Sequence, residues 1–170
     1  GDDIVRVLAD STTDGTTLSV TDVIELYRTQ VLARTFDEKA VSLHAQGRIG
    51  TYAPLLGQEA AQVGAAAAIT EDDYCFPTYR DHAMYLSRGF EATDILLHLL
   101  GQGNMVDTNP EGTHNTFPPT IPIATQLPHA AGVGMAMDYR DDDDGVVLCS
   151  FGDGATSEGD FHEGMNFAGV

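Results

Sequence analysis

Apolar residues recur with helical spacing soon after residue 18. Val23, Ile24, Tyr27, Val31, Phe36, Ala40, Val41 and Leu43 fall roughly on one face, which predicts a long helix packed by that face. Ser19 followed by Asp22 is a capping signature at its start, and Gly47 is a suitable stop. Residues 50–57, with Pro54 inside, read as a loop. The alanine-rich stretch 58–69 reads as a second helix whose Gly64 permits close packing. Residues 74–76 predict a short strand ending at Pro77, and 79–88 and 92–100 predict two short helices parted by Gly89. Glycines and prolines crowd 101–120, which predicts a long loop of the kind a domain keeps for function. A helix over 125–139 follows, with Gly132 and Gly134 as tight-packing positions, then an Asp-rich turn over 141–145. The continuous apolar run 146–151 suits a buried parallel strand. It enters the turn Gly152-Asp153-Gly154, and a further helix is expected from Ala155.

Helices alternating with buried strands predict an α/β domain, a mostly parallel sheet flanked by helices. Residues 1–18 are polar and irregular and read as an arm, leaving 19–170 as one domain. The chain begins at Gly1 and stops at Val170 inside a predicted helix, so it reads as the N-terminal part of a domain truncated at its C-terminus. No apolar run approaches the roughly 20 residues of a membrane span, and no basic-then-apolar leader opens the chain. Cys75 and Cys149 are too few for a disulfide framework or a Cys-based zinc site, and both read as core residues.

Charge changes the picture. Eight basic residues stand against 26 acidic ones, for a net charge of −18, and Lys39 is the only lysine. So negative a field disfavours nucleic acid and anionic membrane as partners. The acids are spread along a chain of ordinary apolar content, so the protein folds with an acidic, lysine-poor surface. Such a composition resembles cytoplasmic proteins of salt-loving organisms, where screening weakens the self-repulsion.

Three segments carry candidate chemistry. A buried strand running into Gly152-Asp153-Gly154 places glycines and an aspartate at its carboxyl end, where open parallel sheets bind ligands. Backbone can approach a phosphate there, and the carboxylate suits Mg²⁺ bridging phosphate oxygens; an ordinary Gly- and Asp-rich turn is the plain alternative. Arg80, just after the first strand, can clamp a phosphate or pair with Asp81 or Glu91 on the surface. The segment Ile121-Pro122-Ile123-Ala124-Thr125-Gln126 offers carbonyls and polar side chains to a monovalent cation or a cofactor ring, or is a strand end with a helix cap. His82, His114 and His129 lie near these loops, whereas His44 and His98 lie within helices. His162-Glu163 opens a zinc-protease pattern, but the position of its second histidine holds Asn166.

Taken in order, the motifs are more specific than any one of them. Gly47-Arg48-Ile49-Gly50-Thr51-Tyr52, Gly57-Gln58-Glu59-Ala60, Phe76-Pro77-Thr78-Tyr79-Arg80-Asp81-His82, Phe117-Pro118-Pro119, the Ile121 to Gln126 segment, and Gly152-Asp153-Gly154-Ala155-Thr156-Ser157-Glu158-Gly159-Asp160-Phe161 follow one another. The series resembles the alpha subunit of the thiamine-diphosphate-dependent first component of pyruvate and branched-chain 2-oxoacid dehydrogenase complexes. The resemblance covers the chain from Thr21 onward and implies the thiamine-diphosphate-binding fold.

By that resemblance Asp153 is a Mg²⁺ ligand, Gly152 and Gly154 shape the diphosphate turn, and Ala155 donates from the helix start. Tyr79 and Arg80 match the family's pair at the diphosphate, and Ile123 matches a position facing the aminopyrimidine. The Pro122 carbonyl, Thr125 and Gln126 match a K⁺ site of branched-chain members, in which a serine of some relatives is Ile121 here. His82 resembles a pocket-facing residue and is the one candidate catalytic side chain. The family's second Mg²⁺ ligand, in a downstream Asn-Asn pair, would lie beyond Val170. The implied reaction is decarboxylation of a 2-oxoacid and acyl transfer to a lipoyl group on an acyltransferase. The glutamate that activates the cofactor is expected from a beta subunit in an alpha2beta2 assembly; Glu59 and Glu158 are expected to be structural. The rival readings are a related thiamine-diphosphate enzyme such as acetoin dehydrogenase, and an inactive fragment that only assembles with a beta subunit.

The charge yields a first prediction. The folded fraction rises with KCl from about 0.1 M to about 1 M, as the screening length falls from about 10 Å to about 3 Å. Circular dichroism along a KCl titration measures it, and full folding at the lowest salt contradicts it.

Overall fold

The computed structural model describes residues 18–103, 115–140 and 145–170. Most of the predicted arm, residues 104–114 of the predicted loop with His114, and 141–144 of the Asp-rich turn lie outside the described residues. The elements in chain order are α1 (Val20–Ala45), α2 (Glu59–Ala67), β1 (Tyr74–Phe76), α3 (His82–Ser87), α4 (Ala92–Leu99), α5 (Gln126–Tyr139), β2 (Val147–Cys149) and α6 (Gly159–Ala168), with a 3-10 turn over Asp153–Ser157 before α6.

Local chemistry sets the ends of α1. The Ser19 hydroxyl accepts from the Asp22 N–H while the Asp22 carboxylate accepts from the Ser19 N–H at 2.8 Å, a complete capping box. Gly47, at φ +67°, turns the chain away in the left-handed region that costs a glycine little. The packed face of α1 matches the predicted one at Phe36, Ala40 and the half-buried Leu43 and departs from it elsewhere. Ala33, Phe36, Asp37 and Ala40 are buried, whereas Ile24, Tyr27, Val31 and Val41 are exposed. Asp37 joins the packed face because its carboxylate accepts from the Tyr52 hydroxyl and the Leu55 N–H, each at 2.7 Å, and so can be buried. No residue of α1 before Ala33 is buried.

β1 and β2 pair in parallel, Tyr74 opposite Val147, Cys75 opposite Leu148 and Phe76 opposite Cys149. On the other edge of β1 the chain runs past in parallel again: the Cys75 N–H donates to the Asn115 carbonyl and the Phe117 N–H to the Cys75 carbonyl. Strand β2 is shorter than the predicted 146–151 and only half-buried, with Val146 and Phe151 exposed. Cys75, in contrast, is fully buried, and burial pushes its thiol up to about 11. Helices α1, α2 and α3 pack on one another, α2 and α3 meet the strands through Ala66 and Met84 against Cys75, and α5 packs on both β2 and α6. The largest core cluster joins Phe36, Tyr52, Leu55, Val63, Tyr85 and Ile95 from the helical side.

A buried arginine fastens the strands. Arg88 donates to the Thr116 hydroxyl at 2.6 Å and to the carbonyls of Thr70, Glu71 and Asp73. The Asp73 carboxylate accepts from the Thr70 N–H and hydroxyl and from the Val146 N–H at 2.7 Å, which anchors the start of β2 beside β1. Those N–H donors, the Thr70 amide first, hold the Asp73 carboxyl below its ordinary range against the opposing effect of burial.

The glycines predicted to pack tightly do not. A Cβ on Gly64, Gly132 or Gly134 would meet nothing within 4 Å. The close crossing is at Gly164 of α6, where a Cβ would lie 2.9 Å from the Leu127 backbone carbon and 2.9 Å from its Cβ. Substituting alanine at the two kinds of site has opposite effects. Gly164→Ala destabilises the chain by about 1–3 kcal/mol through overpacking. Gly132→Ala, on an open helix face, stabilises it by about 0.5–1 kcal/mol through helix propensity. Urea denaturation of the two variants measures both.

Candidate functional site

The carboxyl ends of β1 and β2 open into one cleft of about 740 Å³. Beyond β1 the chain enters the turn Thr78-Tyr79-Arg80-Asp81, and beyond β2 it passes through Ser150 and Phe151 to Gly152-Asp153-Gly154; both stretches line the cleft. A parallel pair puts both strand ends on the same side, so two motifs some seventy residues apart face a single volume. The cavity is the size of a small-molecule or cofactor site.

Each wall is held by hydrogen bonds. The Asp81 carboxylate accepts from the Thr78 N–H at 2.7 Å, closing the first turn. Gln62 of α2 grips that turn from behind: its amide donates to the Arg80 carbonyl at 3.2 Å and its oxygen accepts from the Ala83 N–H at 3.1 Å. Neither Asp81 nor Glu91 pairs with Arg80 as a surface arginine would. The Arg80 guanidinium donates instead to the Pro54 carbonyl and lies 5.9 Å from the centre of the Tyr79 ring. Arg80 is the only cationic side chain on the cleft wall among the described residues. The Tyr79–Arg80 stretch is turn rather than the predicted helix, and α3 starts at His82.

The second wall also departs from expectation. No helix begins at Ala155. Asp153–Ser157 is a 3-10 turn, and α6 starts at Gly159. Ala155 is buried and its N–H donates to the Gly152 carbonyl at 3.0 Å, so that donor is already used. The free donors of the turn are then the first two, on Asp153 and Gly154. Gly152 has an ordinary negative φ of −86°, so its conformation does not call for glycine. What glycine leaves there is space: a Cβ on Gly152 or Gly154 would project where no protein atom lies within 4 Å.

The segment from Ile121 to Gln126 is a turn rather than a strand end, and it leads to Thr125 at the N-cap of α5, whose side chain makes no capping bond. Thr120 makes the last parallel bridge, to Thr78, while Ile121 and Ile123 are exposed. Ala124, buried, takes φ 71°, a left-handed conformation that costs a residue with a Cβ about 1–2 kcal/mol. The turn delivers Gln126 beneath the cleft. Its amide donates to the Ser150 carbonyl at 2.8 Å, while its Oε1 is buried without a partner. The Thr125 hydroxyl sits 3.3 Å from the Asp160 carboxylate, and the Pro122 carbonyl accepts only a long 3.4 Å bond from the Thr125 N–H. Pro122, Thr125 and Gln126 are thus neighbours in one turn, with acceptor capacity to spare.

His82 is separate from this cleft. It lines a second cavity of about 340 Å³, and the two cavities share Tyr79 and Ile123. It is 3% exposed and neither ring nitrogen has a partner. The Tyr52 ring stacks on it at 5.2 Å and 16°. Burial drives its imidazole down to about 4, so the ring is neutral near pH 7. Among the other candidates, His44 is structural, bonded through Nδ1 to the Gly50 carbonyl, and His129 is exposed. Glu59 is structural too: it accepts from the Gly57 N–H and from Arg34 at 2.5 Å, and the Arg34 bond holds its carboxyl down to about 2. Cys149 lines the cleft, but burial pushes its thiol up to about 12, so it is no nucleophile. The sequence reading missed Gln62, Tyr52 and Asp37. An i, i+4 pair of glutamines, Gln58 and Gln62, on an otherwise alanine-rich helix was the available signal for the first.

Fold and cleft together define an α/β chain with an open cleft across the carboxyl ends of a parallel strand pair. The dehydrogenase E1 component profile matches residues 27–170, and the chain belongs to that family. It is 44% identical over 147 residues to the 3-methyl-2-oxobutanoate dehydrogenase subunit alpha of Mycobacterium tuberculosis (strain ATCC 25618 / H37Rv), covering 85% of this chain and 39% of that protein. It is 40% identical over 148 residues to the pyruvate dehydrogenase E1 component subunit alpha of Staphylococcus aureus (strain MW2), covering 86% and 39%. The corresponding subunit of Acholeplasma laidlawii is 40% identical over 146 residues, covering 86% and 41%. The chain thus spans about two fifths of the length of these relatives. Among the described residues no helix is long and apolar enough to cross a membrane.

The buried imidazole sets a pH dependence. An unfolded histidine takes up its proton near 6.5, the folded one only near 4. Between these values the unfolded chain binds the extra proton, so stability falls as pH is lowered through the window and the loss is complete below it. The slope is about 1.4 kcal/mol per pH unit, for a total of ~3 kcal/mol. Glu59 acts lower, between 4.5 and about 2. Urea denaturation from pH 7 to pH 5 is expected to show this slope in the native chain and to lack it in His82→Phe.

Proposed function

We propose that this chain forms one wall of the active site of a 2-oxoacid dehydrogenase, as part of an alpha subunit that holds thiamine diphosphate with Mg²⁺. The observation that carries the reading is the meeting of Tyr79-Arg80 with Gly152-Asp153-Gly154 on one cleft, in a chain whose relatives are named as alpha subunits of such enzymes. The residues fit the cofactor. Arg80 supplies a positive charge to a polyanion in a strongly acidic chain. Gly152 and Gly154 leave open space that a side chain would fill. Asp153 offers a hard oxygen ligand. Among the described residues no three His, Cys, Asp or Glu side chains converge, which suits an ion held largely by phosphate oxygens and water.

When bound, the cofactor supplies the electron sink for loss of carbon dioxide and the carrier for the acyl group. The chain's own residues bind and orient. Arg80 and the free N–H groups of Asp153 and Gly154 take the diphosphate end. Ile123 offers an apolar contact to the aminopyrimidine ring. The buried, unpartnered Gln126 Oε1, with the Thr125 hydroxyl and the Pro122 carbonyl, is a candidate set for K⁺, which would brace the turn beneath the cleft. A second Mg²⁺ ligand is expected downstream of Val170. A beta subunit completes the site with the activating glutamate, and a lipoyl-bearing acyltransferase receives the product.

Calorimetric titration of the full-length protein with thiamine diphosphate tests the reading. Binding is expected to require Mg²⁺, and Asp153→Asn and Arg80→Ala are each expected to weaken it by about 10- to 100-fold, the worth of a charged hydrogen bond. Binding unchanged in both variants, or no Mg²⁺-dependent binding, overturns it.

A further inference from the structure

Arg80 stands among carboxylates and pairs with none. Asp81 and Asp153 share its wall of the cleft, yet the ion pairs among the described residues are Arg28 with Glu25 and Arg34 with Glu59. Two buried side chains from different helices hold Arg80 in place instead, one at each end.

Asp37 of α1 holds the tip. The Pro54 carbonyl accepts from the Arg80 guanidinium, and the N–H of that same peptide unit, on Leu55, donates to the Asp37 carboxylate at 2.7 Å. The peptide is trans and rigid and points its N–H and C=O in opposite directions, so fixing one group aims the other. The Tyr52 hydroxyl donates to the same Asp37 oxygen, which pins the stretch 52–55 at both ends. Asp37 is 2% exposed. Its charge meets that of Arg80 across one peptide unit whose dipole suits both: N–H toward the carboxylate, C=O toward the guanidinium.

Gln62 of α2 holds the root. Its amide nitrogen donates to the Arg80 carbonyl and to Gln58 Oε1, each at 3.2 Å, and its oxygen accepts from the Ala83 N–H. One buried spot thus needs a donor and an acceptor side by side, which neither a carboxylate nor an apolar side chain supplies.

Resting on the reading of Arg80 as a diphosphate ligand, we infer that Asp37 and Gln62 are positioning residues for that contact: they fix the guanidinium before the ligand arrives and act through Arg80 alone. A guanidinium has five N–H donors, so the bond to Pro54 leaves others for the anion. Ordering a long side chain is a cost of binding when it happens on binding; here folding has already met it. The affinity of the cleft for a diphosphate is therefore set in part by a carboxylate on α1.

The test is a double-mutant cycle on the full-length protein, read by calorimetric titration with thiamine diphosphate and Mg²⁺. Asp37→Leu and Gln62→Met are each expected to weaken binding by about 3- to 10-fold, the range for ordering one rotamer-rich side chain on binding. In the Arg80→Ala background either change is expected to cost less than about twofold. Asp37→Asn keeps an oxygen for both donors and is expected to bind within about twofold of the unsubstituted protein. If Asp37→Leu does not fold, Gln62→Met carries the cycle by itself. Losses of the same size with and without Arg80, as general loosening or a direct contact of Gln62 with the ligand would give, overturn the inference, as do unweakened single variants. If Arg80→Ala alone weakens binding, the diphosphate reading stands while the positioning roles fall. No Mg²⁺-dependent binding by the unsubstituted protein overturns both.

Discussion

The Arg88 guanidinium, 7% exposed, sends its donors to one hydroxyl and three carbonyls rather than to a carboxylate. Those acceptors belong to the two stretches that flank β1: the approach from α2 and the segment at Thr116. Asp73, in the first of these, reaches across to the N–H that begins β2. Arginine and aspartate therefore hold three chain segments in register around a strand only three residues long. So short a pair has little stability of its own. The parallel register, and with it the cleft at the strand ends, depends on buried polar groups that are satisfied only when all three segments are in place.

The cleft keeps one positive group in an acidic protein: on its wall Arg80 stands beside Asp81 and Asp153. A chain of net charge −18 is a poor general host for a polyanion, yet the wall carries one guanidinium and a turn with unspent N–H groups at one spot. Local donors at contact distance outweigh a diffuse field that salt screens within about 10 Å. The geometry around them is stiff. Gln62 clamps the turn that bears Arg80, and Gln126 clamps Ser150 at the exit of β2. Ala124 accepts a left-handed backbone so that Gln126 can reach.

What was legible in the sequence was local. The capping pair Ser19 and Asp22, the stop at Gly47 and the break at Gly89 are chemistry within a few residues, and each element boundary they mark is where it was expected. The packed face of α1 was legible only at Phe36, Ala40 and Leu43. Ile24, Tyr27 and Val31 have the look of a core stripe, while the stripe that packs contains a carboxylate whose partners, Tyr52 and Leu55, come from another part of the chain. Gly164 packs closely and Gly132 does not because of what lies across the crossing, which a single sequence leaves open. For the site, the Tyr-Arg and Gly-Asp-Gly motifs could be read in order. That Gln62 grips the Arg80 turn could not, since a polar residue on an alanine-rich helix looks solvent-facing.

Helix α1 has two mechanical regimes. Its second half is bolted to the core through Ala33, Phe36, Asp37 and Ala40, while in the first thirteen residues, about 20 Å of rod, no side chain is buried and Leu26 packs half-buried on the core. Thirteen residues is near the length at which a free helix is only marginally stable in water. The capping box and the Glu25–Arg28 pair can slow fraying but supply no tertiary barrier to it. Amide protons are therefore expected to exchange on two timescales along one continuous helix, the fast one before Leu26, the first side chain that packs on the core cluster. The rod is a built-in gauge: any body that comes to rest on its bare stripe lengthens the fast clock and leaves the slow one untouched.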